Sequence, residues 1–212
     1  MFVNGIPLCI IECKRPDMKE PLKQAISQHL RNQQEDGIRS LYVYSQLTLS
    51  ISTQEAAYAT NATPEKFWAK WQEKFNNDEE ERNYKNKLKE FKNKPLPSYI
   101  KDQLFSDRFK YVRQYFDALE QEEILPTEQD HYLFGLCRPE RLMDIVFNYV
   151  LFDNGEKKVA RYQQFFAIKK SMQRIRNVEN GKLQIQAQIK ILELASSYSD
   201  KPQTTIVMEC LR

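Results

Sequence analysis

Ile6-Pro7-Leu8-Cys9-Ile10-Ile11-Glu12-Cys13-Lys14 is a short apolar run that ends in a carboxylate and an amine flanking a single residue. An apolar run of this length suits a buried strand, and Pro7 belongs near the start of that strand, where a missing N–H is tolerated. Asn4-Gly5 just before it is a tight-hairpin signal. Alternate side chains of a strand share a face, so Glu12 and Lys14 point the same way. Metal-dependent phosphodiester cleavage uses such a pair. The carboxylate ligates Mg²⁺, the lysine orients or deprotonates the attacking water and offsets phosphate charge, and the Cys13 backbone carbonyl supplies a further oxygen.

The E-x-K spacing recurs at Glu90-x-Lys92 and Glu156-x-Lys158, with Asp17-x-Lys19 as a looser copy, all read as helix or loop. Only the first copy ends a buried strand. Its plain alternative is a pair of surface charges closing that strand. Arg15-Pro16 follows, then a helix expected from Lys19 to Gln34, because Leu22, Ala25, Ile26 and Leu30 recur at helical spacing. Gln24 and Gln28 on that helix are groups able to touch phosphate, although Gln24 is better read as part of a solvated face. Leu41 to Ser52 alternates apolar and polar β-formers and predicts one or two strands, with Ala56 to Thr60 as another.

Beyond residue 60 the pattern turns helical. Thr63-Pro64-Glu65 reads as a helix start, with Phe67, Trp68, Trp71 and Phe75 forming one aromatic face. Residues 76–95 are dense in Asn, Asp, Glu and Lys and read as a solvated helix or a mobile insertion. Arg138-Pro139-Glu140 introduces a helix with Leu142, Ile145, Val146, Tyr149 and Val150 on its apolar face. Asp153-Asn154-Gly155 breaks it, and a second helix is expected from about Glu156 to Arg176. Lys157, Lys158, Arg161, Lys169, Lys170, Arg174 and Arg176 make this the one local basic concentration. In the tail, Ile189 to Leu194 suggest a helix and Thr204 to Met208 a strand.

The chain has 212 residues, 41% hydrophobic, 29% charged and 12% aromatic, which is enough to bury a core and too apolar for wholesale disorder. A net charge of +3 points to no bulk polyanion partner, so a basic site must be local. Cys9, Cys13, Cys137 and Cys210, with His29 and His131, show no zinc-site spacing and read as a reduced set, with a cytoplasmic setting expected. No leader pattern and no apolar run near the ~18 residues of a membrane span is evident, so no membrane partner is expected.

Phe2 to Pro16 as a block resembles the nuclease motif of the restriction (motor) subunit of type I restriction enzymes. Ala25 to Gln33, Leu41 to Leu49, Thr63 to Trp71 and Lys158 to Ala167 agree with that family in order, so the likeness runs from residue 1 to about 183. The resemblance implies an α/β fold: a partial PD-(D/E)xK restriction-endonuclease-like sheet with flanking helices, then a mostly helical region leading to a helicase lobe of a superfamily 2 DNA translocase. The implied division is a nuclease core at 1–62, a helical extension at 63–153, a basic helix at 154–183 opening the translocase region, and a divergent tail at 184–212.

By that resemblance Glu12 is the metal-binding carboxylate, with the Cys13 carbonyl beside it, and Lys14 is the catalytic lysine. Lys14, Arg15 and Gln28 contact nucleic acid, Gln28 matching the glutamine of the family's QxxxY element. Gln164, with Arg161 beside it, falls where a helicase Q motif reads adenine. Mg²⁺ and, in the full-length family, ATP are the implied cofactors. DNA and the modification and specificity subunits are the implied partners.

The chain also departs from the family. The first catalytic Asp of the Pro-Asp pattern is expected before the position of Phe2, Asn32 stands where the tyrosine of QxxxY belongs, and Gly181-Lys182-Leu183 runs into Gln184-Ile185-Gln186 without a phosphate loop. These departures predict a truncated or disrupted copy, inactive alone. Two alternatives stand beside it: a non-catalytic module binding DNA or partner subunits through the basic stretch 157–176, and an inert remnant whose β-strand edge is left exposed.

Overall fold

Asn4 and Gly5 take positive φ angles of 49° and 79°, as a two-residue type I′ hairpin requires. They join β1 (Phe2–Val3) to β2 (Ile6–Pro7) in antiparallel register. The computed structural model describes residues 1–106 and 110–179. The apolar run expected as one strand is two, because the Leu8 carbonyl turns aside to accept the N–H groups of Gln46 and Leu47. β3 (Cys9–Cys13) then carries Glu12 to its end.

β3 lies parallel to β4 (Leu47–Ile51), an arrangement that needs a long crossover. The crossover contains α1 (Pro21–Asn32) and α2 (Arg39–Val43). Pro21 sits in the first turn of α1, where the missing N–H breaks no helical bond. Only Leu47–Ile51 of the Leu41–Ser52 stretch is strand; its front half completes α2, with Tyr42 buried and held against His29. β5 (Ala56–Ala59) pairs antiparallel with β4, giving the order β3-β4-β5.

Alternation assigns Ile10, Glu12, Thr48 and Ser50 to one face of this sheet and Cys9, Ile11, Leu47, Leu49 and Ile51 to the other. α1 packs against β3 and β4, with Ala25, Ile26 and His29 buried. Tyr58 of β5 meets Trp71 edge-on at 5.8 Å, and the Trp71 N–H donates to the Tyr132 hydroxyl. β4 is therefore buried on both sides, and Thr48, Ser50 and Ser52 are fully covered rather than solvated.

The aromatic helix expected after Thr63 does not form. A single 3₁₀ turn, Glu65–Phe67, gives way to extended chain in which Ala69 exchanges both backbone hydrogen bonds with Tyr58. This sheet-like pairing outweighs the helical spacing. Trp68 goes to the His29 ring at 5.4 Å, Trp71 to Tyr58, and Phe75 to Tyr84 at 5.2 Å, while Phe67 stays exposed.

α3 (Asp78–Lys92) is the solvated helix read from its charges, capped by the Asn77 side chain accepting the Glu80 N–H. α4 (Ser98–Phe105) and α5 (Lys110–Leu119) follow, tied by Lys101 to Asp117 and Glu120 at 2.7 Å each. α6 (Glu128–Cys137) starts at Thr127, whose N–H donates to Asp130. α7 (Pro139–Asn148) buries Leu142 and Ile145, as its spacing predicts. A buried ion pair links Arg141 to Glu73 at 3.1 Å, with the guanidinium 5.2 Å from the Trp71 ring centre.

Asn154 and Gly155, at φ 50° and 80°, form a hairpin turn rather than a simple helix break. They join β6 (Val150–Asp153) to β7 (Glu156–Val159). The helix expected from Glu156 therefore starts later, as α8 (Tyr162–Glu179), and Glu156-x-Lys158 lies on a strand. The chain divides into two compact units, Met1–Val159 and Ala160–Arg212. Gly181-Lys182-Leu183, Cys210 and the elements expected in the tail lie outside the described residues. The described residues form a mixed α/β fold of eight α-helices and small sheets, and no helix among them is long and apolar enough to cross a membrane.

Candidate functional site

Glu12 and Lys14 meet at the carboxyl end of β3, with Lys14 Nζ 2.8 Å from Glu12 Oε1. Their side chains are 22% and 17% exposed, so the pair is half-buried yet reachable from solvent. Lys14 continues the ladder, its N–H donating to the Ile51 carbonyl, which fixes the backbone under the amine. The ammonium also donates to Gln28 Oε1 on α1. Three residues chosen from the sequence thus converge: Glu12 and Lys14 from the strand, Gln28 from the helix.

His29, adjacent to Gln28, is buried and anchors α1 to the sheet. Its Nε2 lies 2.9 Å from the Leu49 carbonyl oxygen and its Nδ1 2.9 Å from the Tyr42 hydroxyl. Burial pushes the imidazole pKa below its usual value, although the Leu49 carbonyl and nearby Glu12 pull the other way. Burial likewise raises the Tyr42 hydroxyl. This lock holds Gln28 over Lys14, and it was missed in the sequence because a lone His on an amphipathic helix has no distinguishing spacing.

Cys9 exchanges backbone hydrogen bonds with Met1, so the odd-numbered residues of β3 direct their peptide groups away from β4. The Cys13 carbonyl accordingly lies on the outer edge of β3 and accepts no hydrogen bond among the described residues. As oxygen donors for a hard cation, the Glu12 carboxylate and this carbonyl have the right chemistry. Among the described residues, no cluster of three or more His, Cys, Asp or Glu side chains stands ready for a metal. Two oxygens are fewer than the six a Mg²⁺ ion gathers, so these two groups would not complete a metal shell by themselves.

Beside Glu12, Ser50 occupies the register position across the strand pair. Its hydroxyl is fully buried and finds no hydrogen-bond partner among the described residues. The Cys13 thiol is exposed, its pKa raised by partial burial and by Glu12. Cys9 is buried and shares a thiol hydrogen bond with Cys137, which raises the Cys9 pKa and lowers that of Cys137. The three described cysteines thus differ in access: Cys9 is buried, Cys137 half-buried and Cys13 exposed.

Arg15 points outward, ion-paired with Asp17 at 3.3 Å and largely exposed. In the second unit, Gln164 Oε1 accepts the Arg161 N–H at 2.9 Å, so the side chain expected to read adenine closes the first turn of α8. The basic stretch also changes character. Lys157 donates to the Ser45 carbonyl and Lys158 pairs with Asp153 at 2.6 Å, both from β7.

Residues 1–67 match the family described as type I restriction enzyme R protein N terminus. Two curated proteins of Methanocaldococcus jannaschii are similar over most of the chain. One, named as the type I restriction enzyme MjaIXP endonuclease subunit, is 24% identical over 178 residues, 82% of this chain. The other, named as the MjaVIIIP endonuclease subunit, is 26% identical over 188 residues, 86% of this chain. The match spans only 14% of the length of each relative. No solved structure matches.

Proposed function

We propose that this chain, whose residues 1–67 are an N-terminal region of the type I restriction enzyme R protein family, carries the nuclease half of such a subunit's work: Mg²⁺-dependent cleavage of unmodified DNA within an ATP-driven restriction complex. The observation that carries this reading is the convergence of Glu12, Lys14 and Gln28 at the end of one buried strand. In it, Glu12 and the Cys13 carbonyl would hold the metal, whose contribution when bound would be Lewis-acid activation of water. Lys14, kept in place by Gln28, positions the attacking water and offsets charge on the phosphate. The sheet is read as part of a PD-(D/E)xK core.

Glu12 is a single carboxylate, so the metal is held weakly until further oxygens complete its shell. The chain alone is therefore a poor nuclease. ATP handling is not assigned to the described residues, since the Gln164 carbonyl is already engaged. The reading that makes residues 157–176 a continuous basic binding helix is less supported, because Lys157 and Lys158 sit on β7 in hydrogen bonds and ion pairs.

The test is cleavage of unmodified DNA by the restriction complex assembled with its modification and specificity subunits. Glu12→Gln and Lys14→Ala should each abolish cleavage without disturbing assembly, at a loss of at least ~100-fold. Cleavage that survives both substitutions refutes the assignment.

A further inference from the structure

The surface beside Lys14 does not stop at Gln28. Ala25, Ile26 and His29 commit one side of α1 to the sheet, which leaves Lys23, Ser27 and Arg31 in an outward stripe at four-residue steps. Lys14, Lys23, Ser27, Gln28 and Arg31 line an open groove of about 370 Å³ together with Glu20 and Gln24. Its lining charges are three cations, Lys14, Lys23 and Arg31, against the carboxylate of Glu20, and Lys14 is itself paired with Glu12 at 2.8 Å. The Glu20 carboxylate lies 4.0 Å from Lys23, whereas Arg31 has no ion-pair partner among the described residues. No aromatic side chain lines the groove.

Resting on the nuclease reading above, we propose that this groove seats the phosphate backbone of one DNA strand and leads it to the Glu12–Lys14 site, with Lys23, Ser27 and Arg31 as contacts beyond the site itself. The dimensions fit: the eight steps from Lys23 to Arg31 rise about 12 Å. At about 3.4 Å of axial rise per nucleotide in one strand, that length runs beside three to four phosphates. The chemistry also fits. Cations and a hydroxyl recognise phosphate oxygens, while base stacking needs aromatic rings that this groove lacks. The contact is therefore independent of DNA sequence. Gln24 takes no part, because its amide is engaged with the Lys19 carbonyl at 2.5 Å.

The experiment is fluorescence anisotropy of two unrelated labelled DNA duplexes with the full chain in EDTA, repeated across a salt series. Wild type, Lys23→Gln, Arg31→Gln, the double variant and Glu12→Gln are compared, with circular dichroism confirming that each is folded. The expected result is equal affinity for both duplexes and a log–log salt slope that falls by about 0.9 for each cation removed. Glu12→Gln should bind DNA at least as well as wild type. A double variant with the wild-type slope, or a wild type that shows no salt-dependent binding, overturns the groove proposal and leaves the stripe as a solvated helix face or a protein-docking face. Failure of the nuclease reading shows elsewhere, as cleavage indifferent to Glu12→Gln, so the two outcomes are separable.

Discussion

Replacing Arg141 by Met tests how the helical half of the first unit is held to the sheet. Arg141 is 7% exposed and its guanidinium lies 3.1 and 3.4 Å from the two oxygens of Glu73, itself 10% exposed. At 3.1 Å and an effective dielectric of about 20, the Coulomb attraction is about 5 kcal/mol, offset in large part by desolvation of the two charges. Methionine keeps much of the stem volume but leaves the Glu73 carboxylate buried without its countercharge, a loss of about 3–5 kcal/mol. A smaller part comes from the lost contact with the Trp71 ring. Urea denaturation followed by tryptophan fluorescence is a direct assay, because both tryptophans lie in this unit and Trp71 Nε1 donates to Glu73 at 3.0 Å. Adding Glu73→Gln should restore at least ~1 kcal/mol, since the amide oxygen still accepts from Trp71 without a buried charge. A single variant that loses under ~1 kcal/mol, or a double variant that loses the sum of the two singles, refutes the reasoning.

Gly135→Ala should cost about 1–3 kcal/mol in the same assay, because a Cβ there lies 2.9 Å from Trp71 Nε1 and 3.2 Å from Glu73 Oε1; unchanged stability would mean that the indole moves freely. His29 is kept neutral by burial, so the unfolded chain, near 6.5, takes up its proton first on acidification. Its contribution to stability is thus complete above about 6.5 and is lost as pH falls through the lowered folded value, and His29→Asn should flatten the denaturation midpoint over this window. Alkylation of the native chain followed by mass spectrometry should modify Cys13 while sparing Cys9 until unfolding; equal labelling of the two would contradict the burial of β3.

Local signals foretold the parts of the site that depend on short range. Asn4-Gly5 announced the hairpin, apolar spacing the helix that became α1, and strand periodicity the shared face of Glu12 and Lys14. Gln28 was named on its amide and on the family resemblance, and the crossover places it on Lys14. What was not legible depends on partners distant in sequence. The Phe67–Phe75 spacing is helical, yet pairing of Ala69 with Tyr58 draws the chain into an extended path. Alternation over Leu41–Ser52 predicted strand throughout, but its front half closes α2 and only Leu47–Ile51 joins the sheet. Glu73 meets Arg141 across 68 positions, and Cys9 of β3 meets Cys137 of α6. Asp153-Asn154-Gly155 carried a hairpin signal as clear as that of Asn4-Gly5, but the basic residues after it favoured a helical reading.

The most direct test of the central claim, that Glu12 is the metal carboxylate beside a positioning lysine, is titration of the purified chain with Mn²⁺ followed by electron paramagnetic resonance. The account predicts weak binding that Glu12→Gln removes and that Lys14→Ala preserves or strengthens, because the ammonium competes for the same carboxylate at 2.8 Å. Mn²⁺ binding that is indifferent to Glu12→Gln would contradict it.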